Sequence, residues 1–473
     1  MTNKKSESKR PNLLFVFADQ LRSQALGCYG NEQVKSDNFD KFASEGVKFE
    51  NCFANSPVCT PSRGSILTGN YPLTHGAIAN DIPINKNSFS IGNVLKNHGY
   101  ETGYIGKYHL DGVPRDGFTP PGKRRLGFKY WRAFECNHDY MNGRYYENVD
   151  KVKEIEGYEP IGQTDMALNF IRKADEPWAL FLSWGPPHDP YGLVPDRYLE
   201  EYDPKNIGLR DNVPYGDRLK RGSGWGEDPF LSHTGYYAHI TALDEQFGRL
   251  MHTLKKLELE SNTLVVFTSD HGDMLWSHSL HNKRKPFEES ISVPLMIKWP
   301  EEIASGETSE SVIGLTDLAP SLLSSMGLQF PEPVQGKDLS QLFKKPSRSG
   351  LDSCFIMEII PPGAQTPPGM KAWRGVRTKR YTYARHRNGD VWVLFDNKED
   401  PCQLNNLAGK VDKHSRVLKG LETSLKEWLS ETGDDFLPWR DHVIQQDLVE
   451  AWNDRERHLY LDHDIPGDPT LLE

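Results

Sequence analysis

Residues 56–69, SPVCTPSRGSILTG, set a cysteine, Cys59, two residues before a proline and four before an arginine. Pro61 fits the first position of a helix and Gly69 its end, so the spacing predicts a short helix with Cys59 at its positive end. Backbone N–H groups there, with Arg63 one turn on, would hold an anion. Taken by itself the thiol has two readings: a buried or cap-adjacent cysteine, or a thiolate nucleophile. Two other segments carry oxygen donors. LLFVFADQ closes on Asp19 and Gln20, and LVVFTSDHGD closes on Asp270 and His271. Either pair alone could be a cap or a turn. If both strands belong to one open α/β sheet, ligands bind beyond their carboxyl ends, and two carboxylates, an amide oxygen and an imidazole would meet there. That donor set suits calcium, or less well magnesium, and does not suit zinc or copper. A thiolate beside so hard a cation is chemically mismatched.

The elements that must position these residues are legible as patterns. Leu13–Phe17, Ala179–Ser183, Leu264–Thr268 and Leu295–Ile297 are short apolar runs of the kind buried on both faces of a parallel sheet. Ile240, Leu243, Phe247, Leu250, Leu254 and Leu257 recur at helical spacing and predict an amphipathic helix leading into the strand TLVVFTSD, half of a βαβ unit. The expected fold is α/β: a large mixed, mostly parallel sheet sandwiched by helices over residues 11–360. A smaller α+β subdomain with an antiparallel sheet and a helix is expected over 361–473. There PPGAQTPPGM reads as a loop, and KRYTYARHRNGDVWVLFDN reads as two strands around an Asn388-Gly389 turn.

Composition narrows the function. Apolar residues are 37% of the 473, the formal net charge is −10, and no basic run interleaved with aromatics is present, so nucleic acid is excluded as a partner. The longest apolar stretches are strand length, far short of a bilayer span, so a soluble chain with no membrane partner is expected. MTNKKSESKRPN is polar, with no apolar segment ahead of the first strand, which places the chain as given in the cytoplasm; a processed periplasmic or secreted form would read the same. Six cysteines without CxxC spacing argue against thiolate zinc sites and a dense disulfide framework. The oligomeric state is open.

CTPSRGSILTG fits the Cys-x-Pro-x-Arg signature of the formylglycine-dependent (type I) sulfatases of the alkaline phosphatase superfamily, and the chain resembles that family over roughly residues 11 to 430. PNLLFVFADQ resembles the family's opening strand, TGYIGKYHLDG its Gly-Lys-x-His segment, GPPHDPY its Pro-His segment, and SDHGDMLWSHSLHNKRKPF its second metal strand and following lysine. The resemblance implies that a formylglycine-generating or sulfatase-maturating enzyme oxidises Cys59 to 3-oxoalanine (formylglycine), used as its hydrate. This replaces the mismatched thiolate with an oxygen nucleophile. It further implies one calcium held by Asp19, Gln20, Asp270, His271 and residue 59, with Arg63, Lys107 and Lys283 neutralising the transferring group. His188, helped by Lys283, would protonate the departing alcohol, and His109 would take the proton from the second hydroxyl, expelling sulfate.

Departures from the family pattern bear on substrate. Asp19-Gln20 stands where two aspartates are commonest, a variant shared with choline sulfatases and phosphonate monoester hydrolases, but Lys107 and His109 are intact and the Pro-His segment looks like that of carbohydrate sulfatases. A sulfated saccharide is therefore the expected substrate. Hydrolysis of phosphate or phosphonate diesters, a choline-sulfatase or arylsulfatase specificity, and a catalytically silent glycan-binding relative are the alternatives. GKRRLGFKYWRAFECNHDYMNGRYY, residues 122–146, offers aromatics and bases for an anionic glycan or else a structural insert; His138 and Arg144 are its candidate substrate contacts.

Overall fold

Leu13, Phe15 and Phe17 point into one apolar core while Leu14, Val16 and Ala18 point into another. A strand with period-two geometry and no polar face can satisfy its sequence only in the middle of a covered sheet. The computed structural model, which describes residues 10–175, 177–214, 228–360 and 371–463, places it there. In chain order the strands are β1 (Asn12–Asp19), β2 (Val47–Phe53), β3 (Glu101–Lys107), β4 (Tyr130–Phe134), β5 (Arg144–Tyr145), β6 (Lys153–Glu154), β7 (Trp178–Pro187), β8 (Thr263–Ser269), β9 (Leu295–Lys298), β10 (Glu307–Gly314), β11 (Ser353–Glu358), β12 (Trp373–Thr378), β13 (Tyr381–His386) and β14 (Val391–Asp396). Eight form one sheet in the order β10-β2-β9-β8-β1-β7-β3-β4. β9 runs antiparallel to both of its neighbours, while the other pairings are parallel. The run Leu295–Ile297 is thus buried as expected, but it is not one of the parallel strands.

Helices cover both faces. The helix Pro229–Lys256 buries Ile240, Leu243, Phe247, Leu250 and Leu254 against β1, β7 and β8; Leu257, the last of the predicted series, is its exposed C-cap. On the other face the helix Cys59–Thr68 packs through Ile66 and Leu67. It begins at Cys59 itself, so Pro61 is its third residue, still within the turn whose N–H groups have no intrahelical acceptor. Gly69 ends it in the left-handed conformation at φ 67°, which a residue without Cβ adopts at no steric cost.

The antiparallel sheet has the order β11-β12-β13-β14, with Gly389 in the predicted turn at φ 93°. Its first strand, β11, precedes residue 361, so the smaller unit draws a strand from before the expected boundary; the predicted loop at 361–370 lies outside the described residues. One face of this sheet packs on the helix Ser415–Thr432 through Leu421, Leu425 and Trp428, and the other on Phe53, Met274 and Phe287 next to the large sheet. All six cysteines are free, and among the described residues no helix is long and apolar enough to cross a membrane.

Gly106 shows how tightly the strand ends are packed. Its φ is +96°, and a Cβ there would stand 1.9 Å from the carbonyl oxygen of Ser183 on β7. The glycine of the Gly-Lys-x-His segment is therefore required by backbone approach. Gly106→Ala is expected to lower the unfolding free energy by at least about 2 kcal/mol; urea denaturation showing no loss would contradict this packing.

Candidate active site

Parallel strands deliver their last residues to one end of a sheet. Here Asp19 ends β1, Lys107 ends β3, His188 follows β7, and Asp270 and His271 follow β8. Cys59, 1% exposed, is brought to the same place by its helix. Its Sγ lies 3.2 Å from His271 Nε2 and 3.7 Å from Asp19 Oδ1. Lys107, Lys283 and His271 hold the thiol well below its usual range, against burial and the charge of Asp19, which both raise it.

The two carboxylates are compensated by fixed cations. Arg63 Nε donates to Asp270 Oδ2 at 2.9 Å, its Nη2 to Asp19 Oδ2 at 3.2 Å, and its Nη1 to the Lys107 carbonyl and Ser183 Oγ at 2.7 Å each. Lys107 Nζ adds a bond to Asp19 Oδ2 at 2.5 Å. Burial would raise the Asp19 carboxyl, but Lys107, His188, Arg63 and His271 together pull it well below the carboxylate range. Four of the five N–H groups of Arg63 are engaged in this structure, two of them by Asp19 and Asp270.

The donor set fits a hard divalent cation. Ligand atoms of Asp19, Cys59, Asp270 and His271 all lie within 4.8 Å of one another, and all four residues are buried. His271 Nδ1 donates to the Gly272 carbonyl at 2.9 Å, which leaves the Nε2 lone pair facing the cluster. The Cys59 sulfur occupies the position that the oxygens of a hydrated formylglycine would take. Gln20, expected as a further ligand, accepts from Lys283 Nζ at 2.7 Å through its Oε1, and donates from Nε2 to Asp273 Oδ2 at 2.8 Å. In this structure its amide oxygen is therefore on the lysine.

Two imidazoles flank the cluster, and their surroundings shift them in opposite directions. His188 Nδ1 donates to the Asp189 carbonyl at 2.8 Å, so Nε2 is the acceptor of the 2.6 Å contact with Lys283 Nζ. Burial, then the charges of Lys283 and His138, keep this ring well below the usual imidazole range. His109 Nε2 donates to Asp81 Oδ1 at 3.0 Å, and Asp81 is also gripped by Arg115 through two 2.8 Å bonds. Burial opposes charge on His109, but Cys136, Asp81 and Cys59 outweigh it and push the ring up to about 9. Its Nδ1 is buried, and among the described residues no hydrogen bond within normal geometry reaches it. Gln20, Asp81 and His109 all have left-handed backbones, at φ 68°, 67° and 56°, conformations that cost free energy and persist where the surroundings enforce them.

His138 stacks on His188 with ring centroids 4.1 Å apart, so it joins the cluster. Arg144 lies exposed on the β5–β6 ribbon, and no hydrogen bond or ion pair among the described residues links it to the site. The rest of the 122–146 segment is largely structural: Phe128, Trp131 and Tyr140 are core residues and β4 is a sheet edge. Sequence reasoning missed Asp81, Arg115, Asp189 and Asp273. Of these, Asp189 and Asp273 adjoin the quoted motifs and carried a readable signal; Asp81 and Arg115 stand in loops with no local pattern.

A model described as Sulfatase matches residues 11–328, and one described as N-sulphoglucosamine sulphohydrolase, C-terminal, matches residues 276–431. An ulvan-active sulfatase from Formosa agariphila is 37% identical over 448 residues, covering 93% of this chain and 85% of the relative. Among solved structures, the Bacteroides fragilis yidJ protein aligns with a TM-score of 0.80 at 32% identity, covering 93% of this chain and 99% of its own. A structure in complex with its substrate D-glucosamine-2-N,6-O-disulfate aligns with a TM-score of 0.79 at 25% identity, covering 91% and 99%.

Arg63→Met should leave two buried carboxylates without their guanidinium and lower stability in chelator by about 3–5 kcal/mol. Added calcium, bound by the folded chain alone, should recover part of that loss. Urea denaturation with and without calcium checks both; a loss indifferent to the cation would contradict the geometry.

Proposed function

The chain belongs to the sulfatase family, and on that premise we propose that this sulfuric ester hydrolase releases sulfate from a sulfated carbohydrate, using a formylglycine made from Cys59 and one calcium ion. The observation that carries the reading is the placement of Cys59 Sγ in a buried, oxygen-rich donor cluster, in the combined fields of Lys107, Lys283 and His271. Asp19, Gln20, Asp270, His271 and residue 59 would hold the ion, Gln20 by turning its amide oxygen from Lys283. When present, the hydrated aldehyde supplies an oxygen nucleophile whose second hydroxyl allows sulfate to leave, and calcium supplies Lewis acidity at the sulfate oxygens. The carbohydrate substrate is supported by the ulvan-active relative and by the relative solved with a sulfated glucosamine.

The chain's own residues then divide the work. Lys107 and Lys283 bind the sulfate oxygens, each with N–H capacity beyond its bonds to Asp19, Gln20 and His188. Lys283 holds a proton against His188 Nε2, and this pair delivers it to the departing sugar oxygen. His188 is kept in register by its Nδ1 bond to the Asp189 carbonyl. On the other side Asp81 fixes His109 through Nε2, so Nδ1 is the atom that takes a proton at residue 59. His138, stacked on His188, covers that face of the ring and is the candidate contact for the sugar.

Peptide mass spectrometry on active material should show the Cys59 thiol replaced by an aldehyde, and metal analysis should find one calcium per chain. Full activity from unmodified cysteine, or two tightly bound zincs, would overturn the reading. Desulfation of defined sulfated saccharides should exceed turnover of phosphodiesters. His188→Ala should cut kcat/KM by about 10²–10⁴-fold for sugar sulfates and far less for aryl sulfates with activated phenols, which depart unprotonated. Equal losses on both would move the proton donor elsewhere.

A further inference from the structure

Three arginines from three separate segments lie near enough that two of them act on the charge of the third, outside the metal ligands. Arg455, in the helix Val449–His463, is 8% exposed and donates from Nε to the Asn80 carbonyl at 2.7 Å. Asn80 Oδ1 in turn accepts from the backbone N–H of Thr60 at 3.0 Å, one residue from Cys59. The next residue, Asp81, carries Arg115 and His109. Arg284 follows Lys283, ties its N–H to the Pro57 carbonyl at 3.1 Å and reaches Glu358 at 3.0 Å. The segment that presents Cys59 is thus linked to Arg455 through Asn80 and to the backbone of Arg284 through Pro57.

Their charges are incompletely answered. Asp81 is shared between Arg115 and His109, and burial pushes Glu358 up to about 7. Glu456, the chain neighbour of Arg455, is a half-exposed partner of the kind that contributes little. After burial, the largest effect, Arg284 and Arg115 both act to lower the Arg455 guanidinium, against Asp81 and Glu456. Arg455 also lies over the Trp452 ring, 4.8 Å from its centroid, and Trp452 packs on Trp439 within the apolar cluster. Arg115 Nη1 and Arg455 Nη2 have no partner among the described residues. Bringing a third cation to this rim costs free energy unless an anion meets it.

We infer that Arg115, Arg284 and Arg455 form a subsite for a second anionic substituent of the substrate, a carboxylate or a further sulfate, while the sulfate to be removed lies at residue 59. Guanidinium forks match the paired oxygens of both groups. The inference rests on the sulfated-carbohydrate reading and narrows it to glycans carrying two anionic groups close together.

Titration calorimetry on the full chain with Cys59 unconverted tests this without turnover, using a monosulfated hexose, the matching monosulfated hexuronate and the matching disulfated hexose. One or both doubly charged probes should bind at least about ten-fold more tightly than the monosulfated hexose. Preference for the hexuronate alone assigns a carboxylate, and preference for the disulfated hexose alone a sulfate. Arg455→Ala should shrink the preference to below about three-fold, with Arg455→Lys between. Unfolding curves identify an Arg455→Ala chain that has lost its fold, in which case Arg284→Gln carries the decision. Equal binding of all three probes, or a preference unmoved in the folded variants, overturns the inference. Failure of the sulfatase reading shows separately, as absence of sulfate release from every probe by the matured chain.

Discussion

One guanidinium ties together the ends of four neighbouring strands. Arg63 bonds Asp19 at the end of β1, Asp270 after β8, the carbonyl of Lys107 on β3 and the hydroxyl of Ser183 on β7, and these strands stand side by side in the sheet. Two carboxylates fully removed from water would each cost several kcal/mol uncompensated, and their attraction to a cation repays this only in good geometry. A flexible ammonium could pair with one carboxylate, but a planar fork on a rigid, wholly buried helix can fix both. The position of that helix, the close β3–β7 approach at Gly106 and the parallel order of the central strands are conditions for this arrangement.

With Asp19 held well below the usual carboxylate range, the remaining charges sort by neighbourhood. Burial and the charge of Lys283 hold the His188 ring well below the usual imidazole range, while against burial Cys136 and Asp81 push His109 up to about 9. Two side chains of the same type are thus driven apart in proton affinity by their partners. Arg115 contributes at one remove, because against burial its two hydrogen bonds to Asp81 help hold that carboxylate well below its usual range and oriented toward His109.

The central strands were legible because burial on both faces leaves no choice of residue, and the paired strand ends were legible because polar donors interrupt those runs. Helix punctuation worked at Gly69, where φ demands glycine, but Pro61 is tolerated anywhere in a first turn and so could not fix the helix start. The direction of β9 was not readable, since a short apolar run is the same in either orientation. Gln20 marks a different limit. Its identity and place in the chain follow from the motif, but an amide at the end of a strand can turn toward a cation or a lysine, and only its neighbours Lys283 and Asp273 decide which. The aromatics of 122–146 read equally as sugar platforms or as core, and the packing of Trp131 on Tyr104 and Tyr108 puts that ring in the core.

Residues gathered by the sheet and residues gathered around it therefore differ in kind. Asp19, Lys107, His188 and Asp270 are fixed by strand ends, so changing one without its partners strands a buried charge; the chemistry is bound to the topology. Asp81, Arg115, Arg284 and Arg455 come from loops and from a helix hundreds of residues away along the chain, each held by a few hydrogen bonds. Such positions can change without unpairing the carboxylates beneath them. A scaffold built in this way can keep one reaction while the groups around it vary, and those loops, where local sequence carries least pattern, are the positions free to do so.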